Sequence, residues 1–188
     1  MRKNSKWFAL SIALCVSAAI LVYGESKKTP VTQVYHIPES IKSVAALSKQ
    51  ISAMTPARVI RIVDGDTIVV SFDPATGLGD KEKVRLIGVN TPETVDPRKP
   101  VERYGAEASR FVSDSILGRT VRLAFEPAMR DYFGRLLAYI FLEDGACFNI
   151  EIIAQGYGFA YTKYPFLFMD DFRKAERKAR ESKRGLWK

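Results

Sequence analysis

Histidine is nearly absent from this sequence of 188 residues, in which His36 is the only one. A single histidine far from the strand-rich part of the chain excludes a Ser-His-Asp triad, a Cys-His pair and a histidine-based metal nuclease. A zinc site is also disfavoured, because zinc selects several cysteine or histidine ligands. A catalyst built from this chain would therefore use carboxylates, arginines and a hard cation bound by oxygen atoms.

Cysteine is equally scarce, with only Cys15 and Cys147 in the chain. Cys15 lies in an apolar N-terminal run, so removal of that run would leave Cys147 alone and exclude an intramolecular disulfide. The fold must then be stabilised by its hydrophobic core. The apolar surroundings of Cys147 predict a packed thiol rather than a nucleophile.

The N-terminus has the pattern of an export signal. Arg2, Lys3 and Lys6 precede an apolar stretch over residues 7–22, which at 16 residues is short for a membrane span of about 20. We expect residues 1–24 to be a signal peptide cleaved after Gly24. The alternative is an uncleaved anchor that contacts the membrane through residues 7–22. The expected location is secreted or extracytoplasmic in the first case and membrane-anchored in the second.

Composition divides the remaining chain into a linker over residues 25–57, with prolines at positions 30, 38 and 56, and one domain over residues 58–188. Of the 29 lysines and arginines, three lie in the leader, which leaves 26 against 21 acidic residues, a net charge of +5. This mild basic excess fits a polyanionic partner.

Hydrophobic periodicity predicts five strands, at residues 58–63, 67–72, 84–89, 119–126 and 135–144. Helical patterns cover residues 102–117, 149–155 and a C-terminal stripe from Phe168 to Gly185. A helix between the third and fourth strands predicts a mainly β protein with helices, of the α+β class. The expected fold is an oligonucleotide-binding barrel of five strands plus three helices.

Three polar clusters lie at strand ends or turns of this barrel. They are residues 64–67, Arg85 with residues 90–93, and residues 131–135. Taken alone, they are explained by a hairpin turn, a proline-containing turn and a turn with a basic flank. Because strand ends meet at one rim of a small barrel, we expect the three clusters to converge.

The converged residues would suit a phosphodiester. Arg85 and Arg135 could hold phosphate through their planar forks of N–H donors. A divalent cation on Asp66 and Asn90 would polarise the phosphoryl oxygen, and Glu93 could act as general base toward a water molecule. The residues therefore predict metal-assisted phosphodiester hydrolysis.

Six segments carry a resemblance to a known family: VDGDT, VRLIGVNTPET, VERYGAEAS, DYFGRLLAYI, IAQGYGFAY and the terminal GLW. From about residue 58 to residue 188 the chain resembles the staphylococcal (micrococcal) nuclease family, or thermonuclease-like domain. The resemblance implies an oligonucleotide-binding barrel with three helices. It also implies an extracellular endonuclease, dependent on one calcium ion, that cleaves DNA and RNA with little sequence preference and leaves 3′-phosphate ends.

The resemblance also implies roles for single residues. Asp66 matches a calcium carboxylate, and Thr91 matches a residue that binds the ion through its main-chain carbonyl. Glu93 matches the general base. Arg85 matches the clamp for transition-state charge, and Arg135 the clamp on the leaving-group side.

Other positions match substrate contacts. Tyr161 corresponds to a tyrosine near the terminal phosphate of a nucleotide, and Lys99 to a lysine of a loop near the nucleic acid. Tyr132 and Phe133 depart from the family, which has a basic residue followed by a tyrosine there. The departure removes one lysine and one hydroxyl from the expected phosphate contacts.

A second departure affects the metal site. The family motif DTPE begins with Asn90 here, so one metal carboxylate is replaced by an amide. Calcium accepts amide oxygens, but affinity falls with ligand charge. We expect activity to persist with a higher calcium requirement, which Asp64 would offset in part from outside the first ligand sphere.

Two other functions are compatible with the sequence. A non-catalytic oligonucleotide-binding module at the cell surface could grip single strands by stacking and charge. A calcium-dependent surface adaptor is the third reading, although it leaves Arg85 and Arg135 without a task. For the nuclease, DNA and RNA are the expected partners, no protein partner is implied, and a monomer is expected.

Overall fold

A computed structural model describes residues 54–94, 100 and 102–188. The predicted leader, nearly all of the predicted linker and Lys99 lie outside the described residues, so their predictions stay untested. Within the described ranges, no helix is both long enough and apolar enough to cross a bilayer.

The main feature of the structure is a closed barrel in the order β1-β2-β3-β6-β5, beside a short two-stranded sheet of β4 and β7. Three helices pack around the barrel, which confirms the predicted class and fold. The elements are β1 (Thr55–Asp64), β2 (Thr67–Ser71), β3 (Lys81–Leu86), β4 (Val89–Asn90), α1 (Gly105–Ile116), β5 (Thr120–Arg130), β6 (Leu136–Phe141), α2 (Phe148–Ala154), β7 (Phe159–Ala160) and α3 (Met169–Glu181), with 3₁₀ turns at Pro74–Thr76 and Gly185–Trp187.

Barrel closure extends several strands beyond their predicted ends. β1 starts three residues before the predicted position 58, because Thr55 to Arg58 pair antiparallel with Leu123 to Thr120 of β5. β5 continues past residue 126 to Arg130, which pairs with Leu136 of β6. β3 begins at Lys81, inside the predicted loop over residues 73–83, because it pairs with Ser71. Pairing of this kind depends on residues distant in sequence.

An irregularity in β1 sets the direction of its side chains. Val59 pairs with Val70 and Arg61 with Val69, so Ile60 is an extra residue on the β1 side. This is the arrangement of a β-bulge, which bends a strand and shifts its alternation by one. Ile60 and Arg61 are accordingly both exposed, whereas Val59 is fully buried.

The barrel interior is filled by aliphatic and aromatic side chains, and α2 closes one side of it. Cys147, which precedes α2, is buried, and burial raises the pKa of its thiol to about 12. A thiol in this state is protonated at neutral pH and unsuited to nucleophilic attack. The predicted packed thiol is thus what the structure contains.

One polar side chain in α2 connects the helix to β6 and to the turn between β3 and β4. Asn149 is 0% exposed, accepts a hydrogen bond from the Ile140 amide at 2.8 Å, and donates to the carbonyls of Ile87 at 2.9 Å and Ala138 at 3.1 Å. All three partners are main-chain groups near the barrel end that carries Asn90. A buried side chain with its hydrogen bonds satisfied fixes the relative placement of the elements it joins.

We predict that Asn149→Leu lowers the free energy of unfolding by about 2–5 kcal/mol, because three buried main-chain groups lose their partner. Urea denaturation followed by circular dichroism measures the change. The matched control is Glu143→Leu on the exposed turn after β6, which should change stability by about 0.5 kcal/mol or less. Equal effects of the two substitutions would contradict the assignment.

Candidate active site

The first part of the site is the turn between β1 and β2. The Asp66 amide donates to Asp64 Oδ1 at 3.1 Å, which holds the turn in place. Gly65, between the two acids, lies against Thr91, and a Cβ at Gly65 would come within 2.7 Å of the threonine Cγ2. Only glycine allows this turn to approach the chain after β4 so closely.

The Asp66 carboxylate is the meeting point of three segments. Asp66 is only 5% exposed, and its Oδ2 accepts a hydrogen bond from the Thr91 amide at 3.0 Å. Its Oδ1 accepts the Thr67 hydroxyl at 3.1 Å and contacts a terminal nitrogen of Arg85 in an ion pair. The carboxylate therefore links the start of β2, the end of β3 and the chain after β4.

Arg85 extends from β3 into this group of side chains, and 17% of its side chain is exposed. Its second terminal nitrogen donates to Asn90 Oδ1 at 3.5 Å, a long hydrogen bond. Burial lowers the pKa of the guanidinium to about 10, an effect that Asp64 opposes and Arg135 reinforces. Arg85 stays protonated at neutral pH, and its electrostatic environment contains both Asp64 and Arg135.

The acids of the site also influence one another. Burial raises the pKa of the Asp64 carboxyl, Arg85 acts in the opposite direction, and the Glu93 carboxylate raises it further. Glu93 Oε1 accepts the Thr94 amide at 2.9 Å, and the Glu93 amide donates to Glu102 at 3.0 Å. Asp64 and Glu93 are thus close enough to repel, although they are 29 positions apart in the sequence.

A tight turn between β5 and β6 holds Arg135. Asp131 Oδ1 accepts the amides of Phe133 and Arg135, both at 2.9 Å, and Oδ2 accepts Arg135 Nε at 2.7 Å. With Nε engaged, the terminal nitrogens of the guanidinium remain directed away from Asp131. One aspartate therefore both closes the turn and orients the arginine.

A second contact fastens this turn to β3. Arg130 forms two hydrogen bonds with the Glu82 carboxylate, at 2.7 and 3.0 Å, and donates to the Gly134 carbonyl at 2.7 Å. We call this contact the Glu82–Arg130 clip. It connects the strand that carries Arg85 to the turn that carries Arg135, with Gly134 directly before Arg135.

The two arginines open onto one cavity of about 570 Å³, which Asn90 also lines. Tyr132 and Phe133 stand at its edge with 96% and 78% of their surface exposed, and their rings meet edge to face with centroids 5.6 Å apart. The Arg135 guanidinium lies 5.6 Å from the Phe133 ring centroid. Exposed rings beside a cationic cavity can stack on nucleic-acid bases.

Tyr161 reaches the same cavity from β7. Its amide donates to the Gly88 carbonyl at 2.9 Å, which keeps it beside the end of β3. Gly88 has a left-handed backbone, with φ +73°, and a Cβ there would lie 2.7 Å from Phe166 and Phe172. The strand therefore breaks at Gly88 so that the C-terminal part of the chain can pack against it.

The structure brings nearly all the predicted site residues together. One group is linked by hydrogen bonds, an ion pair and charge interactions: Asp64, Asp66, Arg85, Asn90, Thr91 and Glu93. A second group shares the cavity with Arg85 and Asn90: Tyr132, Phe133, Arg135 and Tyr161. Lys99 lies outside the described residues. The chemical roles of all these residues stay predictions.

Sequence reasoning missed the residues that hold the site in position. The roles of Gly65 and Asp131 have local signals, namely the turn motif around Gly65 and the four-residue spacing from Asp131 to Arg135. The Glu82–Arg130 clip joins positions 48 apart and has no local signal. Glu126 also lines the cavity and accepts the Leu167 amide at 2.8 Å, which ties the chain before α3 to the barrel.

The donor atoms of the site fit a hard cation by their chemistry. Within the described ranges, no three histidine, cysteine, aspartate or glutamate side chains are grouped so as to hold a metal ion. The available ligands are instead the carboxylate of Asp66, the amide oxygen of Asn90 and main-chain carbonyls, which suit calcium or magnesium rather than zinc. Arg85 now contacts one Asp66 oxygen, so a cation would share that carboxylate with it.

Comparisons with known proteins agree on one family. The model of the family described as staphylococcal nuclease homologue matches residues 83–188. The thermonuclease of Staphylococcus hyicus is 37% identical over 131 residues, which cover 69% of this chain and 74% of the relative. The thermonuclease of Staphylococcus intermedius is 38% identical over 133 residues, with the same coverage. The SPbeta prophage-derived endonuclease YokF of Bacillus subtilis is 34% identical over 130 residues, which cover 68% of this chain and 42% of the relative.

The clip predicts a local effect on the turn. Arg130→Gln should raise amide hydrogen exchange at Gly134 and Arg135 by about tenfold or more, because the turn loses its attachment to β3. Global stability should change little, as expected for an exposed ion pair. Hydrogen exchange by NMR, together with urea denaturation, measures both quantities.

The matched control is Arg173→Gln, which removes an exposed 3.5 Å ion pair to Asp170 on α3. It should leave exchange in residues 131–135 unchanged. Unchanged exchange in the Arg130 variant would show that Asp131 alone fixes the turn.

Proposed function

This chain belongs to the family of staphylococcal nuclease homologues and is a nuclease, and we propose that it is a calcium-dependent endonuclease for DNA and RNA. The observation that carries the proposal is the cavity lined by both Arg85 and Arg135, with the Asp66 carboxylate in contact with Arg85. Two guanidinium groups and one buried carboxylate in such proximity suit a phosphodiester group and a hard cation.

The two arginines would each stabilise part of the negative charge on the reacting phosphate. Arg85 is largely buried, so its interaction with developing negative charge is weakly screened. Arg135 has its Nε bound by Asp131, which leaves the terminal nitrogens for the leaving-group side. The two guanidinium groups can stabilise a pentacoordinate phosphorus without a proton transfer of their own.

Asp66, Asn90 and the Thr91 carbonyl would hold the calcium ion. When bound, the ion would supply positive charge next to the phosphoryl oxygens. Asp64 and Glu93 lie close to this set and add negative charge to it. Every proposed ligand is a hard oxygen atom, as calcium requires.

Glu93 would accept the proton of the attacking water. The Glu102 amide donates to the Glu93 carbonyl at 2.9 Å, and the Glu93 amide donates to Glu102 Oε2 at 3.0 Å, so this segment is held in place. A general base must lie within hydrogen-bonding reach of the water in the substrate complex. The influence of Glu93 on the pKa of Asp64 supports a position for Glu93 near the proposed cation ligands.

The exposed aromatic pair supports a role in substrate binding. Tyr132 and Phe133 would stack on bases, whereas the hydroxyl of Tyr161 could donate to a terminal phosphate. The same surface would serve a non-catalytic binding module, which remains the second candidate. Lys99 is proposed as a further contact to the nucleic acid from the segment outside the described residues.

We further propose that the protein acts outside the cytoplasm. The basic residues and the apolar run at the N-terminus are typical of an export signal. The mass of the exported protein would distinguish cleavage after Gly24 from a retained anchor.

Purified protein should degrade plasmid DNA in the presence of calcium, and the degradation should stop in excess chelator. Glu93→Ser and Arg135→Gly should each lower kcat by about 10² or more, because a general base and an electrostatic clamp typically contribute that much. Lys174→Ser on the exposed face of α3 is the control and should retain full activity. Binding without degradation at any calcium concentration would favour the binding module.

The amide at position 90 predicts a metal-affinity effect. Asn90→Asp should lower the calcium concentration needed for half-maximal rate, because it adds one negative ligand charge. Rates measured over a calcium series test this expectation, with Asn90→Ala as the variant that should shift the requirement upward. An unchanged requirement in Asn90→Asp would remove Asn90 from the proposed ligand set.

A further inference from the structure

We propose that the outer face of β1, β2 and β3 is a binding track for the phosphodiester backbone, leading away from Arg85 across the barrel. The inference rests on the proposed function, because it extends the contact with the same substrate beyond the cleaved bond. Its ligand is a single-stranded polynucleotide, recognised through its phosphates.

Strand register places the track residues in three rows across β1, β2 and β3. The site row is Asp64, Thr67 and Arg85; the first basic row is Arg61, Val69 and Lys83; the second basic row is Arg58, Ser71 and Lys81. Each basic row therefore has a cation on either side of a small β2 residue.

The rows share one face because side chains alternate along a strand. Lys81, Lys83 and Arg85 lie at every second position of β3, whereas Val84 between them is fully buried in the barrel. On β1, the bulge at Ile60 restores the outward direction of Arg61 after the inward Val59. The site row and the four cations thus lie on the same face of the sheet, although Thr67 and Val69 at the centre of two rows are themselves buried, at 4% and 7% exposure.

The four cations are exposed, and none of them forms an ion pair in the part of the chain that the structure describes. By contrast, Arg130 and Arg135 are each bound to a carboxylate. Glu82, the acid nearest to Lys81 and Lys83 in sequence, is bound by Arg130. The charge of the track is therefore available to an external anion.

The dimensions suit a chain of phosphates. Two strand spacings separate the cations of one row by about 10 Å, and successive rows are about 7 Å apart along the strands. Val69, which is buried, and Ser71, which is half-buried, lie between the exposed cations and are too short to obstruct a strand held by the cationic groups. Asp73 and Asp80, both exposed, lie in the loop after β2, so negative charge begins where the second basic row ends.

Charge complementarity identifies the partner. The track begins at the arginine that would hold the reacting phosphate, so a strand bound there could continue directly over the basic rows. Each phosphate neutralised on a single strand releases about 0.7 counterion, which makes binding salt-dependent. Neutral or basic polymers would gain nothing from this surface.

The test compares two variants with the same loss of charge. The track variant combines Arg58→Gln, Arg61→Gln, Lys81→Gln and Lys83→Gln. The control variant combines Lys174→Gln, Arg177→Gln, Lys178→Gln and Lys188→Gln, all on exposed residues of α3 or the C-terminus. Circular dichroism establishes that both are folded.

Binding is measured by fluorescence anisotropy in chelator, with a labelled single strand of about 20 nucleotides, over a series of salt concentrations. The slope of log K against log salt should become less steep by roughly 2 to 3 in the track variant, as expected for three or four lost phosphate contacts. The slope of the control variant should stay near that of the unmodified protein. Equal losses in both variants, or none in the track variant, would overturn the track.

Cleavage assays distinguish failure of the track from failure of the proposed nuclease function. In calcium, the track variant should raise KM for the long strand by about tenfold more than KM for a dinucleotide substrate. If the unmodified protein cleaves but the variant raises both KM values equally, the track is wrong and the nuclease function stands. If the unmodified protein binds with the expected salt slopes but does not cleave, the endonuclease proposal is wrong and the track stands.

Discussion

The buried Asp66 carboxylate is the interaction on which the rest of the site depends. A charge with 5% exposure is costly unless it is paired and hydrogen-bonded, and Asp66 meets that condition through Thr67, Thr91 and Arg85. These partners come from three separate segments. The carboxylate thereby converts a hairpin turn, a strand and a proline-containing loop into one rigid group of oxygen and nitrogen atoms.

The two arginines are held at the cavity by different structural elements. Arg85 projects from β3 in the barrel wall, where strand pairing on both sides fixes its backbone. Arg135 follows a turn, and its position depends on Asp131 and on the Glu82–Arg130 clip. Because the barrel strand and the attached turn hold the two arginines in place, the cavity can present preorganised positive charge to substrates of different shape.

The sequence predicted the barrel, its three helices and the convergence of the polar clusters, because periodicity and turn residues are local signals. It could not predict that β5 reaches Arg130 or that β1 contains a bulge at Ile60, because closure of the barrel determines both. Contacts between distant positions were also inaccessible. Glu82 with Arg130, and Gly65 against Thr91, become neighbours only through the fold.

The amide of Asn90 is explained by the position of Arg85. The guanidinium contacts Asp66 on one side and Asn90 Oδ1, at 3.5 Å, on the other. A carboxylate at position 90 would attract Arg85 away from Asp66 and add a fourth acid to Asp64, Asp66 and Glu93. Because the Asn90 amide is neutral, Arg85 stays paired with Asp66. The carboxylate that joins the three segments is thus paired in the absence of a cation. The neutral amide at position 90 therefore preserves the pairing of Asp66 and Arg85 that organises the site.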